Sequence, residues 1–321
     1  MQVVFLVAGK GKRLRPVTHE TPKPLLPLAG KSLLEHAFDS LKGLPITEVV
    51  LVVGYYREQF EHLTCPWPLR VVVQEEQRGT AHAVSIAVPF LTGPTLIILG
   101  DILFGFPIVP AIQSAVDGVV WTRTVDDPSQ YGVIVSADGI VTNFVEKPRD
   151  RISNQASSGI YFIRDQHKLA RAIHHVINHG KPHDGEYWLP DALQSMVDDG
   201  AHIAAVSSSG WWQHCGTPEE YLQANAALLD RLQPITVREG TVVIAPSWID
   251  SSAVVTDSVI GPHVSIGPGA TVVRSVLSDS IVLSGGAVEN AVLSHTIIGE
   301  DASLTARPRT VNLGSHSSVR L

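Results

Sequence analysis

Two glycines within a run of cations near the amino terminus form the part of the sequence best suited to chemistry. An apolar segment at residues 3–7 leads into Ala8-Gly9-Lys10-Gly11-Lys12-Arg13, and Pro22-Lys23-Pro24 follows. Glycine lets a backbone come close to a bulky ligand, and the cations favour an anion. A strand followed by such a loop is typical of phosphate-binding folds, and a tight turn with surface cations is the alternative.

Two common glycine motifs are excluded for this loop. Leu14 stands where the dinucleotide-binding fingerprint needs its third glycine. The chain also contains no G-x-x-x-x-G-K-[ST] run, so the loop is not a Walker loop.

The composition is that of a globular chain with room for more than one domain. It has 321 residues, of which 44% are hydrophobic and 17% charged, and a net charge of −7. The length predicts two domains, and the negative charge argues against a nucleic-acid partner. Two cysteines do not make a disulfide framework, so a reducing cytoplasm is expected. The amino terminus does not resemble a signal peptide, and we expect no membrane contact because no apolar run reaches the length of a membrane span.

Strands and helices alternate along the chain up to about residue 232. The predicted strands are 3–7, 49–53, 69–73, 95–99, 119–122, 133–135, 141–145, 160–163 and 203–206. The predicted helices are 33–41, 57–63, 80–90, 167–177, 189–197 and 218–232. This alternation predicts an α/β domain over residues 1–232 with a mostly parallel sheet. Ligands bind such sheets where strands end, so the loops after residues 7, 73 and 99 are candidate walls of a site.

A six-residue period replaces helical periodicity after Pro234. Aliphatic residues recur in three frames, which are Val254, Ile260, Ile266 and Val272, then Val276, Val282 and Val288, then Val292, Ile298 and Leu304. A fixed hexad predicts a stacked β-helix of roughly four coils over residues 235–321. A β-sandwich is the alternative. The frame slips twice, so we expect imperfect coils.

Several short blocks lie in order along the first domain. They are Leu6-Val7-Ala8-Gly9-Lys10-Gly11-Lys12-Arg13-Leu14-Arg15-Pro16, Pro22-Lys23-Pro24-Leu25, Gln74 with Gly79-Thr80-Ala81, Leu99-Gly100-Asp101, Tyr131-Gly132-Val133, Glu146-Lys147-Pro148, Gly159-Ile160-Tyr161 and Trp212-Gln213-His214-Cys215-Gly216-Thr217-Pro218. In this combination the chain resembles the sugar-1-phosphate nucleotidylyltransferases. The resemblance implies a Rossmann-like nucleotidyltransferase domain with a mixed central sheet, followed by the left-handed β-helix that is common in that family.

The resemblance also implies a reaction and a set of site residues. A sugar-1-phosphate oxygen would attack the α-phosphorus of a nucleoside triphosphate, and pyrophosphate would leave. Arg13 would clamp the triphosphate, Lys23 would contact the α-phosphate, and Asp101 would hold Mg²⁺. The implied nucleotide-binding residues are Ala8, Gly9, Gly11, Lys12, Gln74, Gly79 and Thr80, and the implied sugar-phosphate-binding residues are Gly132, Glu146, Lys147 and Gly159. Structural roles remain as alternatives: a helix cap for Asp101, a polar strand end for Gln74, and an exposed charge pair for Glu146 and Lys147.

Two positions depart from the family pattern. Lys12 replaces a threonine or serine and adds a cation to the loop. His214 stands where a second metal-binding aspartate is expected, although Mg²⁺ prefers oxygen ligands. We therefore expect Asp101 and His214 to hold the metal, with Mn²⁺ or Co²⁺ working better than Mg²⁺. A histidine that is hydrogen-bonded to a neighbour is the alternative.

The leading hypothesis is an enzyme that makes a nucleotide sugar, with an NTP and a sugar-1-phosphate as substrates. Gln74 offers a donor and an acceptor that match an imide, which favours UTP or dTTP. Glucose-1-phosphate is the default sugar. A non-catalytic, ligand-sensing subunit is the alternative hypothesis, motivated by Lys12 and His214. The β-helix is expected to build a homo-oligomer, in preference to a second, acyltransferase activity.

Overall fold

The computed structural model describes residues 1–233 and 239–307, together with residues 315 and 318. The chain divides into two compact units. The first consists of Met1–Leu26 and Lys31–Tyr221, and the second of Pro27–Gly30 and Leu222–Leu321. The short segment Pro27–Gly30 is thus grouped with the carboxyl-terminal part of the chain, although it follows the amino-terminal loop in sequence. No described helix is long and apolar enough to cross a membrane.

The first unit is built from helices around one large sheet. The helices are α1 Leu33–Ser40, α2 Thr80–Ala87, α3 Val109–Ile112, α4 Gln166–His179, α5 Leu189–Asp198 and α6 Pro218–Leu232, and α6 contains the point of division. Short 3-10 turns occupy Lys12–Leu14, Lys23–Leu25, Arg57–Phe60 and Val88–Phe90. The strands up to residue 214 are β1 Gln2–Leu6, β2 Pro27–Leu28, β3 Lys31–Ser32, β4 Glu48–Val53, β5 Leu69–Val73, β6 Thr95–Leu99, β7 Ile102–Gly105, β8 Gly118–Thr124, β9 Gly132–Ala137, β10 Ile140–Glu146, β11 Gln155–Ile163, β12 Ile203–Ser207 and β13 Trp211–His214.

The central sheet has nine strands in the order β5-β4-β1-β6-β11-β8-β12-β10-β9. Strands β5, β4, β1 and β6 are parallel, whereas β11 is antiparallel to both β6 and β8. The chain moves outward from β1 to β4 and β5, and then returns to place β6 on the other side of β1. The strand order therefore reverses beside β1, which is the point at which open α/β sheets bind ligands.

The sheet is mixed, as the family resemblance implies, so the mostly parallel sheet predicted from strand–helix alternation is wrong for its second half. Five short elements up to residue 214 escaped prediction, namely β2, β3, β7, α3 and β13. Strands β7 and β13 pair antiparallel in a separate two-stranded sheet, with Ile102 opposite His214. Both are four residues long and directly adjoin polar loop residues, so their apolar pattern is too short to stand out. The helix predicted over 57–63 is only the 3-10 turn Arg57–Phe60.

Apolar residues cover both faces of the sheet because successive strand residues point to opposite sides. Val4 and Ile97 pack under α2, α4 and α5 in one cluster, while Phe5 and Ile98 pack with α1 in the other. Helix α1 begins with a capping box. The Ser32 hydroxyl accepts from the Glu35 amide, and the Glu35 carboxylate accepts from the Ser32 amide. These two cores hold the ends of β1 and β6 rigidly in place.

The second unit contains three parallel sheets of four short strands. Their strands are β14 Val242–Val243, β15 Ser247–Ile249, β16 Val254–Thr256, β17 Val259–Ile260, β18 Val264–Ile266, β19 Thr271–Val273, β20 Val276–Ser278, β21 Ile281–Val282, β22 Ala287–Glu289, β23 Val292–Ser294, β24 Ile297–Ile298 and β25 Ser303–Thr305. Every third strand pairs with its counterpart in the next coil. This is the four-coil, three-sided β-helix that the hexads predict.

The hexad frames misplace three of the inward-facing residues. Val254, Val276 and Val292 are exposed, and the inner positions of their strands are taken by Val255, Leu277 and Leu293. Residues stacked in neighbouring coils lie 17 residues apart early in the unit and 16 apart later. One side of each 17-residue coil, and two sides of each 16-residue coil, therefore span five residues instead of six, which shifts the frame and explains the slips seen in the sequence.

Candidate active site

A cleft of about 260 Å³ opens where β1 and β6 end, at the reversal of strand order. The chain leaves β1 into the glycine loop and leaves β6 into Gly100 and Asp101. The cleft is lined by Leu6, Val7, Ala8, Gly9, Gly11, Lys23, Pro24, Gln74, Gln77, Gly79, Thr80, Ala83, Leu99, Gly100, Asp101 and Glu186. Of the residues predicted to bind nucleotide, all but Lys12 line it.

A second cleft, of about 430 Å³, shares five lining residues with the first and is strongly basic. Its lining consists of Gly9, Lys10, Gly11, Lys12, Arg13, Lys23, Gln77, Glu186 and Gly216. Four of these side chains are cationic and one is acidic. Lys12 and Arg13 therefore lie in a cavity that suits a polyanion, beside the first cleft.

Gly11 is required by the backbone of the loop. Its φ of 58° lies in the left-handed region, and a Cβ there would lie 3.1 Å from Thr18 Cγ2 and 3.3 Å from Lys23 Cβ. Thr18 also donates its hydroxyl to the Gly11 carbonyl at 2.9 Å. The close approach of these side chains fixes the loop so that Lys23 lies against it.

Asp101 is held by two cations at the bottom of the first cleft. Lys23 Nζ lies 2.6 Å from Asp101 Oδ2, and His214 Nε2 lies 3.3 Å from the same oxygen. Burial alone would raise the pKa of Asp101, but Lys23 and His214 outweigh it and hold that pKa well below its usual range. The carboxylate is therefore charged, and its Oδ1 atom has no hydrogen-bond partner among the residues that the structure describes.

His214 lies between two carboxylates. Its Nδ1 atom is 3.0 Å from Glu220 Oε1, while Glu220 Oε2 accepts from Gly216 N at 2.9 Å. Burial opposes a proton on the ring, but Asp101 and Glu220 outweigh it and raise the pKa of His214 to about 9. Both ring nitrogens then donate, and an imidazolium does not coordinate a metal. This arrangement matches the hydrogen-bonded alternative, and the metal-ligand role of His214 stays a prediction.

The donor set fits a divalent metal only through Asp101. No group of three or more histidine, cysteine, aspartate or glutamate residues is placed to hold a metal within the described chain. One carboxylate oxygen facing a cleft suits Mg²⁺, which commonly binds through one or two carboxylates plus phosphates and water.

Gln74 and Thr80, which are predicted to bind the nucleotide, are fixed in place by hydrogen bonds within the protein. The Gln74 side chain is buried, and its Nε2 atom lies 3.1 Å from the Gly79 carbonyl and 3.0 Å from His82 Nδ1. Gln74 Oε1 is thus the atom left to meet a ligand. Gly79 has a φ of 94°, and a Cβ there would collide with the Tyr187 backbone. Thr80 Oγ1 accepts from Leu189 N at 2.8 Å, so its hydroxyl holds a neighbouring loop.

The residues predicted to bind the sugar phosphate line neither of these two clefts, but three of them, Gly132, Glu146 and Lys147, lie together. Burial raises the pKa of Glu146, and Lys147 opposes that rise. A Cβ on Gly132 would lie 2.8 Å from Glu146 Oε2, so this glycine gives the carboxylate its space. Gly159, with a φ of 79°, packs against Ile102 and Leu99 beneath the end of β6.

Lys147 combines an unusual backbone with a movable cation. Its φ of 43° is in the left-handed region, which costs a non-glycine residue energy and is often found at functional sites. Its Nζ lies 5.1 Å from the centre of the Trp188 ring and 3.9 Å from Glu146 Oε1. The Lys147 amide donates to Tyr131 O at 3.0 Å. The ammonium group is half exposed and can meet an anion.

Four residues of this region were missed by the sequence analysis. Gln77 and Glu186 line both clefts. The Lys147 ammonium lies over the Trp188 ring, and Glu220 is hydrogen-bonded to His214. Thr217 and Glu220 form a T-x-x-E pattern at the start of α6, in which the Thr217 hydroxyl accepts from Glu220 N and donates to Glu220 Oε2. That pattern has a complete structural explanation, so it gave no signal of a site. Gln77 and Glu186 are common surface residue types far apart in sequence.

Comparison with known proteins agrees with this geometry. A family model described as nucleotidyl transferase matches residues 2–231. The bifunctional protein GlmU of Methanococcus maripaludis is 32% identical over 237 residues, which cover 72% of this chain and 55% of GlmU. This chain therefore spans about half the length of that relative. The glucose-1-phosphate thymidylyltransferase of Streptomyces antibioticus is 30% identical over 361 aligned positions, which cover 100% of this chain and 99% of that protein.

The solved structures give the same result. The crystal structure of a putative glucose-1-phosphate thymidylyltransferase from Bacillus anthracis, in complex with a sucrose, superposes with a TM-score of 0.64 at 26% identity. The alignment covers 74% of this chain and 98% of that one. With a family model that spans the first unit and a relative that spans the whole chain, this protein belongs to the nucleotidyl transferase family.

Proposed function

We propose that this protein is an enzyme that transfers a nucleoside monophosphate from an NTP to a sugar-1-phosphate and so forms an NDP-sugar. The observation that carries the proposal is the meeting of a cationic glycine loop with the Lys23–Asp101 pair in one cleft at the reversal of strand order. A relative that is named as a glucose-1-phosphate thymidylyltransferase and that spans the whole chain supports it. This relative does not favour the alternative of a non-catalytic sensing subunit.

The proposed chemistry needs charge and alignment more than a nucleophile from the protein. An oxygen of the sugar phosphate forms a bond to the α-phosphorus, the bond from that phosphorus to the bridging oxygen breaks, and pyrophosphate leaves with the electron pair. Arg13 and Lys12 neutralise the departing phosphates, and Lys23 meets the α-phosphate. Lys147 offsets the repulsion between the two anionic substrates. Such positioning and charge stabilisation are the main means of catalysis in phosphoryl-type transfer.

A divalent metal is the proposed cofactor, and Asp101 is the residue that would hold it. Bound there, the metal would neutralise phosphate charge beside the reacting phosphorus. We propose Mg²⁺ as the ordinary ion, with relatively better activity with Mn²⁺ or Co²⁺ if His214 loses its proton and becomes a ligand. Mn²⁺ binding to the nucleotide-free protein, measured by electron paramagnetic resonance, tests this. His214→Asp should bind Mn²⁺ more tightly than wild type, and equal binding would place His214 outside the metal site.

The favoured nucleotides are UTP and dTTP, with glucose-1-phosphate as the first sugar to test. The Gln74 amide is turned so that its Nε2 atom is bonded to the protein, which leaves Oε1 to accept from the imide N–H of uracil or thymine. Adenine and guanine do not present that group in the same place. A screen of four NTPs against a panel of sugar phosphates, read as pyrophosphate release, tests the assignment.

Lys23→Met gives the sharpest test of the reaction. Removal of this cation should lower kcat by roughly 10³-fold, because it takes away a contact to the reacting phosphate and leaves Asp101 with one partner fewer. Lys31→Met is the matched control, since Lys31 makes an exposed ion pair with Asp39 at the same 2.6 Å distance. If both variants release pyrophosphate at the wild-type rate, the proposed role of the cleft is wrong.

The β-helix is proposed to build a homo-oligomer, and the chain is proposed to act in the cytoplasm. Stacked coils present flat, parallel sheet faces, and several valines on the outside of the coils are exposed. Light scattering on the full chain and on residues 1–233 tests the first proposal. A mass that corresponds to a single chain for the full-length protein would contradict it.

A further inference from the structure

Arg123 ends on the same edge of the sheet as the proposed site. It is the next-to-last residue of β8, which is antiparallel to β11, and β11 is antiparallel to β6. Strands β8 and β6 therefore run in the same direction and end at the same edge. Asp101 comes just after the end of β6, and Arg123 lies at the end of β8. The topology therefore brings a further cation to the edge of the sheet that carries the glycine loop.

The guanidinium of Arg123 has one aromatic contact and one long hydrogen bond, but no carboxylate partner, among the described residues. Its carbon atom lies 4.4 Å over the Trp212 ring, and Nη1 lies at 3.4 Å from the Trp212 carbonyl, a long hydrogen bond. Among the residues that the structure describes, neither the buried Nε atom nor the Nη2 atom has a hydrogen-bond partner. Within residues 1–233 and 239–307, no carboxylate lies within 4.0 Å of the guanidinium. A partly buried cation without an anion is unfavourable unless something else pairs with it.

Arg123 is connected to the site through stacked rings. Trp212 stacks on His214 with an angle of 12° between the rings, and His214 contacts Asp101. Tyr131 contacts both rings edge-on, at 6.4 and 6.2 Å between centroids. Burial and Glu220 raise the pKa of Tyr131, while Arg123 and Arg13 both oppose that rise. Tyr131 thus lies within the field of two arginines, one from the glycine loop and one from β8.

We propose that Arg123 selects the sugar, by pairing with a carboxylate on the sugar ring of the substrate. This inference rests on the proposed function and deepens it: the substrate class becomes the uronic acid 1-phosphates. The phosphates already have Lys12, Arg13, Lys23 and Lys147 available, so Arg123 is left for a different anion. Guanidinium groups recognise carboxylates through paired N–H donors, whereas sugar hydroxyls need no such charge.

The fixed position of Trp212 explains how Arg123 would distinguish an acidic sugar from a neutral one. The indole Nε1 donates to the Ser158 carbonyl at 2.8 Å, so the ring on which Arg123 rests is fixed to β11. The guanidinium is supported on one face by this ring. Its Nε atom is buried, and its Nη2 atom keeps donors that no described residue uses, so Nη2 is the atom that can meet a carboxylate. A neutral sugar would leave those donors without an anion, which disfavours it relative to its acidic counterpart.

The test compares glucose 1-phosphate with glucuronate 1-phosphate, which differ only in oxidation at the carbon outside the ring. Pyrophosphate release by the full chain should show a kcat/KM at least about tenfold higher for the acid. Arg123→Met should lower the ratio of the two kcat/KM values by roughly 10-fold to 100-fold. Arg123→Lys should keep part of the ratio, because it retains the charge but loses the paired donors.

Arg70→Met is the matched control. Arg70 also lies over an aromatic ring, 4.9 Å from Phe90, but it pairs with Glu48 on β4. This variant should leave the substrate ratio as in wild type. Equal losses for both sugars in Arg123→Met, or a wild-type preference for glucose 1-phosphate, would overturn the inference while leaving the proposed function intact. No pyrophosphate from any sugar phosphate would overturn both.

Discussion

His214 carries a charge that should couple the stability of the fold to pH. Asp101 and Glu220 overcome burial and raise its folded pKa to about 9, compared with 6.5 for a free histidine. The stabilisation is fully present below pH 6.5 and is lost as the pH rises towards 9, because only the unfolded chain releases the proton in that interval. We expect the free energy of unfolding to fall by up to about 3 kcal/mol across this window.

Urea unfolding at pH 6 and pH 9.5, with a chelator present, measures this loss. His214→Gln should remove most of the pH dependence, whereas His62→Gln, at an exposed position, should retain it. An identical slope in wild type and His214→Gln would mean that His214 is neutral in the folded chain.

The parts of the site that sequence reasoning could predict are those that directly follow clearly apolar strands. The glycine loop follows β1 and Asp101 follows β6, so both were expected at one sheet edge, and the family resemblance added Lys23 to them. Arg123, Glu186 and Glu220 were not predicted, because each comes from a different segment and has an ordinary surface or capping explanation. His214 shows the limit most clearly: its type and position suggested a metal ligand, which stays a prediction, whereas the pKa of the ring is raised by Asp101 and Glu220, and the Glu220 contact could not be read from the sequence.

Two glycines of the β-helix, Gly261 and Gly269, should differ in how strongly an alanine substitution lowers stability. Gly261 has a φ of 110°, and a Cβ there would collide with the Ile244 carbonyl of the preceding coil. Gly269 has a φ of 65° with open space around it. Gly261→Ala should therefore cost at least about 3 kcal/mol, and Gly269→Ala about 1 kcal/mol. Calorimetric melting of both variants measures the difference, and equal shifts in Tm would show that the contact with Ile244 imposes no constraint.

The strands of the β-helix show why the coil count was predictable and the inner residues were not. Hexads set the number of sides and coils. The choice between Val254 and Val255, or between Val276 and Leu277, depends on which side of the coil has five residues. Both members of each pair are aliphatic, so hydrophobicity alone does not distinguish them.

The division of the whole chain predicts how a truncated protein should behave. Within the second unit, Ala29 N donates to Asn225 Oδ1 at 3.3 Å, and Ser265 Oγ donates to the same oxygen at 2.6 Å. Gly30 packs so closely against Trp248 that a Cβ on Gly30 would lie 2.7 Å from the indole ring. A chain cut after residue 233 should keep some activity but melt at a lower temperature, because buried Asn225 loses Ser265 and Gly30 loses Trp248, while the bond from Ala29 to Asn225 stays within the truncated chain.

Trp248→Ala in the full chain is the companion to that truncation. It should reproduce part of the loss in Tm without removing the coils. A truncated chain that melts at the wild-type temperature would mean that the coils add nothing to the stability of residues 1–233.

The grouping of Pro27–Gly30 with the carboxyl-terminal unit has a consequence for anyone who recombines this protein with a relative. A single crossover near residue 233 would transplant the coils but leave behind the four residues that belong to the same compact unit. A workable hybrid must also import that tetrapeptide, which begins only two residues after the Pro22–Leu25 block. Inheritance of the tail is therefore tied to the amino-terminal motif, and the two should vary together among natural variants.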